Sequence, residues 1–133
     1  MNDVLADTHS ILWYLFEARR LSAAAGAALS GAVQSGGLIR VSAITPVEVC
    51  YLVEKGKIPA QYWTGLLAAL LDSNTPVNPL PVDHAVAQAV EQIPRNTVPD
   101  MPDRIIAATA IVHGLSLVTC DPKIQASSVP TIW

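Results

Sequence analysis

The segment from residue 100 to 121 constrains the fold most: a helical pattern over 102–113 is stopped by Gly114 and passes at once into the apolar run Leu115-Ser-Leu-Val-Thr119. Glycine at that point suits a helix C-terminus, and the run behind it has the character of a buried, parallel-type strand. The same alternation recurs along the chain. Residues 4–6 read as a short buried strand, and Ile11, Leu12, Leu15 and Phe16 mark the apolar face of a helix after it. An Ala-rich helix follows over 22–33, with Ser22 as cap and Gly36-Gly37 as stop, and then a strand over 38–42. Thr45-Pro46-Val47-Glu48 has the form of a capping box and predicts a helix to about Lys55; a further helix spans 59–71. The run 77–82 contains Pro79 and Pro81, which restrict it to a short or edge strand. A helix over 83–92, a loop over 95–99 and a last strand over 129–133 complete the order. Strands alternating with helices predict an α/β fold with a mostly parallel sheet, covered on both faces and joined by right-handed crossovers.

A length of 133 residues fits a single domain, 1–133, able to bury roughly two-thirds of the surface of its unfolded chain. With 51% apolar and 14% charged residues, a disordered chain is excluded, and some apolar surface is expected to lie under a partner. No apolar run is long enough to cross a bilayer and no leader pattern is present, so no membrane role and a cytoplasmic location are expected. Cys50 and Cys120 lack metal-ligand spacing and sit in apolar segments, which predicts buried free thiols. The formal charge of -3 disfavours nonspecific nucleic-acid binding. It does not exclude a nuclease that places metal between its acids and a phosphate.

Acids number 11 in the chain, and five of them fall at structural junctions: Asp7 after the first strand, Glu48 at a helix start, Asp100 and Asp103 at another, and Asp121 after the strand at 115–119. In open α/β sheets, sites form beyond the carboxyl ends of strands and at the starts of the next helices. A parallel sheet would therefore bring all five to one rim. Two carboxylates about 5 Å apart repel by roughly 3 kcal/mol at an effective dielectric near 20. A cation reverses that cost, and an all-oxygen ligand set suits Mg²⁺ or Mn²⁺. The natural substrate of such a site is a phosphodiester.

Each acid also has a purely structural reading. Glu48 can close the Thr45 capping box, Asp100 and Asp103 can form a second one, Asp7 can cap its helix, and Asp121-Pro122 can begin a turn. Thr8 and Thr119 can orient carboxylates or bond locally to backbone. His9 directly follows the prospective site, although an ordinary surface or packing role is favoured; Arg104 can pair with Asp103 or face a phosphate. His84 and His113 lack companion ligands, and Trp13, Trp63, Tyr51 and Tyr62 read as packing residues without interleaved basic residues. A glycine-rich phosphate loop and a serine hydrolase elbow are both missing.

The order of the acids resembles that of PIN-domain proteins, specifically VapC-type toxin ribonucleases of bacterial toxin-antitoxin systems. Leu5-Ala6-Asp7-Thr8-His9 is similar to the opening motif of the family, and Thr45-Pro46-Val47-Glu48 to its acidic helix start. Asp100-Met-Pro-Asp103-Arg104-Ile-Ile-Ala-Ala-Thr-Ala resembles the third and most specific motif, and Leu115-Ser-Leu-Val-Thr119-Cys-Asp121 the fourth. Met101 stands where related sequences often have proline, with Pro102 behind it; no carboxylate is lost.

The resemblance covers almost the whole chain and implies a PIN-like three-layer α/β/α domain. It implies a catalytic quartet of Asp7, Glu48, Asp103 and Asp121, with Asp100 as an auxiliary acid. Asp7, Asp103 and Asp121 would hold one or two Mg²⁺ or Mn²⁺ ions, with Glu48 as a further ligand or positioning a water. The implied reaction is hydrolysis of RNA by a metal-activated water, leaving a 5′-phosphate and a 3′-hydroxyl. A cognate antitoxin and a homodimer are the implied partners. Two other classes stand beside this one: a catalytically inactive PIN-like regulatory or protein-binding module, and an acidic-pocket phosphatase or phosphoacceptor, for which the paired aspartates are missing.

Overall fold

The computed structural model describes residues 2–133. Five strands, β1 (Val4–Ala6), β2 (Ile39–Ser42), β3 (Val77–Leu80), β4 (Leu117–Val118) and β5 (Thr131–Ile132), form one sheet in the order β3-β2-β1-β4-β5. Every pairing is parallel, so the sheet is parallel throughout, with Val4 opposite Ile39 and Leu5 opposite Leu117. The helices are α1 (Thr8–Phe16), α2 (Ala23–Gln34), α3 (Ile44–Glu54), α4 (Ala60–Leu71), α5 (His84–Val90), α6 (Met101–His113) and α7 (Pro122–Gln125), with a 3₁₀ turn at Ala18–Arg20.

Alternation along the strands divides the core into two layers. Val4 and Ala6 point to the face covered by α1, α2, α3 and α4, where they pack with Ile11, Leu29, Val49 and Leu66. Leu5 points the other way, with Leu117 against Ile106, Ala107 and Ala110 of α6 and Ile124 of α7. Because strands carry side chains alternately on the two faces, a three-residue β1 that is buried throughout requires cover on both sides. The result is a three-layer α/β/α arrangement. After β1 the chain builds outward through β2 and β3, then returns to place β4 on the other side of β1. The reversal makes the carboxyl ends of β1 and β4 a topological switch point, where such sheets open a crevice.

Several local expectations are corrected. The Thr45 capping box does not form: α3 starts at Ile44, its N-cap is Ala43, and that cap makes no side-chain bond. Thr45 instead lies inside the first turn, fully buried, with its hydroxyl 3.1 Å from that of Thr8. Pro46 still falls in the first turn, where an absent N–H costs no helical bond. Helix α5 ends at Val90 and is capped by Asp83, while β4 and β5 are shorter than the apolar runs that contain them. Asp121-Pro122 opens α7, a four-residue helix, in place of the turn that is the structural reading of that pair. Cys120 is exposed and Cys50 half-buried; both are free. Pro79 lies in β3, an edge strand as predicted, where its missing N–H interrupts no pairing beyond the sheet. Gly114 ends α6 in the left-handed region at φ 62°, as its place in the sequence implies. Among the described residues, no helix is long and apolar enough to cross a membrane.

Candidate active site

Asp7 joins two elements. It follows β1 and caps α1, its Oδ1 accepting a 2.9 Å bond from the Ser10 N–H. Its own N–H donates to Val118 O at 3.2 Å, and the Ser10 hydroxyl donates to the same carbonyl at 2.9 Å. The ends of β1 and β4 are thereby tied together, and the Asp7 side chain, only 7% exposed, is held where the crevice opens. Asp121 is fixed by the same device on the other strand. It caps α7 through a 2.9 Å bond from the Lys123 N–H, while its own N–H donates to Thr119 Oγ1 at 3.0 Å.

The facing wall comes from helix starts. Glu48 stands in the second turn of α3, and its Oε1 accepts a 2.5 Å bond from the Thr8 hydroxyl. With Glu48 ionised, Thr8 spends its single proton on the carboxylate, so Thr45 is the donor between the two hydroxyls. The chain Thr45 to Thr8 to Glu48 runs from the buried interior to the cleft. Asp100 is the N-cap residue of α6 but makes no side-chain capping bond, and Asp103 follows in the first turn. Their expected reciprocal cap is therefore missing.

Asp7, Thr8, His9, Glu48, Asp100, Asp103, Cys120 and Asp121 line one cleft of about 200 Å³. The five acids singled out in the sequence are thus brought together. The tightest group is Glu48, Asp100 and Asp103, each offering an oxygen within 4.8 Å of the others. At that separation Glu48 and Asp103 repel by about 3 kcal/mol at an effective dielectric near 20. Burial, then the charges of Asp100, Asp121, Glu48 and Asp7, push the Asp103 pKa up to about 7. Burial also raises Glu48, against the lowering effect of the Thr8 hydrogen bond. Clustered oxygen donors, too costly to ionise together without a counterion, fit a hard divalent cation such as Mg²⁺ or Mn²⁺.

Other candidates fall elsewhere. Arg104 pairs with neither Asp103 nor the cleft; its guanidinium donates to Ile93 O at 2.8 Å and Val90 O at 3.1 Å, fastening α6 to the end of α5. Thr119 serves the Asp121 turn and Thr8 serves Glu48, so the two threonines divide the roles that sequence left open. His84 and His113 lie exposed at the ends of α5 and α6, outside the cleft. Ser10 and Thr45 were missed as supports. An Asp followed three residues later by a residue with a free N–H is a recognisable cap signal, whereas nothing local shows that Thr45 faces Thr8. Beside the cleft, Val47, Tyr51, Leu52, Met101 and Pro102 line an apolar groove of about 310 Å³ that shares Glu48 with it.

The signature of the PIN domain matches residues 4–128. The chain belongs to the PIN-domain family. Within that family it is similar to Ribonuclease VapC22 of Mycobacterium tuberculosis, at 33% identity over 136 residues and the full length of both chains. Among solved structures, this PIN domain resembles VapBC2 from Rickettsia felis, determined with a DNA fragment from their promoter (TM-score 0.71, 17% identity, covering 97% of this chain and 96% of that one). It also resembles FitAcB from Neisseria gonorrhoeae (TM-score 0.65, 27% identity, 96% and 95% covered) and a toxin-antitoxin complex from Klebsiella pneumoniae (TM-score 0.62, 24% identity, 98% and 96% covered). The five acids of this chain line the cleft at the switch point that the strand order creates.

Proposed function

We propose that this protein is a metal-dependent endoribonuclease, the toxin of a toxin-antitoxin pair, acting as a single PIN-like domain over 1–133. The observation that carries the reading is the meeting of Asp7, Glu48, Asp100, Asp103 and Asp121 in one cleft of a chain 33% identical to a ribonuclease along its whole length. Asp7, Glu48, Asp103 and Asp121 are the catalytic acids. Asp100 has more than an auxiliary part, because its oxygen belongs to the tightest cluster. Glu48, Asp100 and Asp103 would hold Mg²⁺ or Mn²⁺, with Asp7 and Asp121 as further ligands across the cleft. Bound there, the cation supplies Lewis acidity: it lowers the pKa of a water and offsets charge building on the phosphate.

The protein's own groups do the positioning. The Ser10 N–H keeps one Asp7 oxygen in place and leaves the other free of that bond. Thr8 orients Glu48 in the same way and favours its ionised form. Metal-aided hydrolysis of a phosphodiester does not itself require a 2′-hydroxyl, so RNA as substrate rests on the relative. A cognate antitoxin is the proposed partner, since solved neighbours include a toxin-antitoxin complex. Exposed Val47, Tyr51 and Met101 beside the cleft, and Leu71 at 82% exposure, support contact with a protein partner, and with a second copy in a homodimer. The cytoplasm is the proposed site of action.

Incubating the purified protein with structured RNA tests the reading. Cleavage with Mg²⁺ or Mn²⁺, its loss on chelation with EDTA, and its loss in a folded Asp7→Asn variant are expected. Cleavage that survives EDTA, or full activity in the variant, overturns it. If no RNA is cut and Mn²⁺ leaves the melting temperature unchanged, an inactive protein-binding module becomes the better account.

A further inference from the structure

The sequence contains no interleaved aromatic and basic residues, yet the fold assembles such a group at the edge of the cleft. His9 and Trp13 are four apart on α1, hence on one face, with ring centroids 5.7 Å apart and planes tilted by 49°. The 3₁₀ turn then doubles the chain back and lays the Arg20 guanidinium over the Trp13 ring, 4.6 Å from its centroid. Trp133, from the far end of the sequence, supports Trp13 from another side at 5.8 Å. His9 is exposed and also lines the acidic cleft, so the group is continuous with the site.

Arg20 is held without being used up. Its nearest acid, Glu17, is 3.8 Å away, and the same Glu17 oxygen accepts a 2.5 Å bond from the Tyr62 hydroxyl. The Arg20 side chain remains 53% exposed, and Arg19 beside it is exposed as well. A guanidinium pinned flat on an indole keeps its fork of donors in a fixed orientation at little further entropic cost, which suits a phosphate. An exposed imidazole at the mouth of the cleft offers a flat face to a base. Five acids repel a polyanion, and a cationic, aromatic border is what an RNA strand needs to approach them.

We propose that the strip from His9 across Trp13 to Arg20 binds single-stranded RNA next to the scissile phosphate, with His9 stacking on a base at the cleft mouth and Arg20 gripping a neighbouring phosphate. The proposal rests on the reading of the cleft as a ribonuclease site and adds the direction in which one arm of the substrate lies. Trp13 is the platform that orients Arg20.

Fluorescence anisotropy with a labelled 12-nucleotide single-stranded RNA, measured over a series of salt concentrations in Asp7→Asn protein, tests it. Adding Arg20→Gln should weaken binding on the order of tenfold and reduce the slope of log affinity against log salt by about 0.7, the loss of one phosphate contact. His9→Ala should weaken binding a few-fold and leave the salt slope unchanged, as stacking does. In protein with Asp7 intact, Arg20→Gln should raise KM more than it lowers kcat, while the Mn²⁺-induced rise in melting temperature stays at its wild-type size. If Arg20→Gln binds the RNA with unchanged affinity and salt slope, the strip is a structural feature or serves a protein partner, and the proposal falls while the nuclease reading stands. If the parent protein binds no RNA and the protein with Asp7 intact cleaves none, both fall together.

Discussion

The two walls of the acidic cleft are built on opposite principles. On the strand side, Asp7 and Asp121 each accept a hydrogen bond from a helix N–H, from Ser10 and Lys123, so the backbone that caps the helix also aims the carboxylate. On the helix side, Glu48 has the hydroxyl of Thr8, and every influence on Asp103, from burial to four neighbouring acids, works against its ionisation. The first wall is organised by the fold alone. The second is left by the fold in mutual repulsion. A carboxylate held by backbone N–H groups contributes to stability, whereas one surrounded by like charges withdraws from it until a cation arrives.

Exchanging the acids one at a time should separate the walls most sharply. Asp103→Asn and Asp7→Asn should both reduce RNA cleavage, by more than the roughly 10–100-fold cost of losing an outer-sphere partner. Their metal-free stabilities should differ. Asp103→Asn removes a charge that burial and its neighbours oppose, so its melting temperature should rise. Asp7→Asn keeps a good N-cap and should gain little. Equal gains in calorimetry would show that the walls are not distinct.

Titration extends the contrast. The ordinary carboxyl value of Asp103 is 3.8 and its folded value is about 7, so between these limits the folded protein keeps a proton that the unfolded chain has released. Metal-free stability should therefore fall as pH rises from about 4 through 7 and level off above that, with Glu48 acting in the same direction. Saturating Mn²⁺ should reverse the trend, because binding displaces the proton. Melting curves of wild-type protein and Asp103→Asn across this range measure the slope, which the substitution should flatten.

Smaller effects probe each wall in turn, Thr8 on the helix side and Asp121 on the strand side. Thr8→Val removes the donor to Glu48 and leaves the fully buried Thr45 hydroxyl unpaired, at a cost of about 1–3 kcal/mol in denaturant unfolding. The Glu48 pKa should also move further up, since the Thr8 bond is the larger of the two influences that lower it, ahead of His9. Asp121→Ala should cost less, at most about 1 kcal/mol, because the helix it caps has only four residues. A larger loss there would mean that the α7 cap supports β4 and β5 as well.

Much of the fold was legible because it rests on local chemistry. Gly114 had to end a helix, Pro79 had to sit on an edge strand, and the buried run at Val4–Ala6 had to be a strand covered on both faces. Boundaries were less legible where a side chain had two possible partners. Thr45, Pro46 and Glu48 carry the pattern of a cap, but the turn at Ala43 starts the helix early and frees Thr45 to meet Thr8, 37 positions away. Arg104 next to Asp103 suggested an ion pair, whereas its length lets it reach the carbonyls that end α5.

By itself, the sequence determined the alternation of strands and helices, the parallel sheet that follows from it, and the junctions at which the five acids stand. Those depend on propensity, periodicity and turn chemistry, all of which act over a few residues. Only the tertiary structure decided which carboxylates are clamped and which are left to repel, that Asp100 belongs to the tightest cluster, and that Arg20 and Trp133 close around Trp13. Burial and charge proximity depend on distances between residues a hundred positions apart, and no local pattern contains those distances.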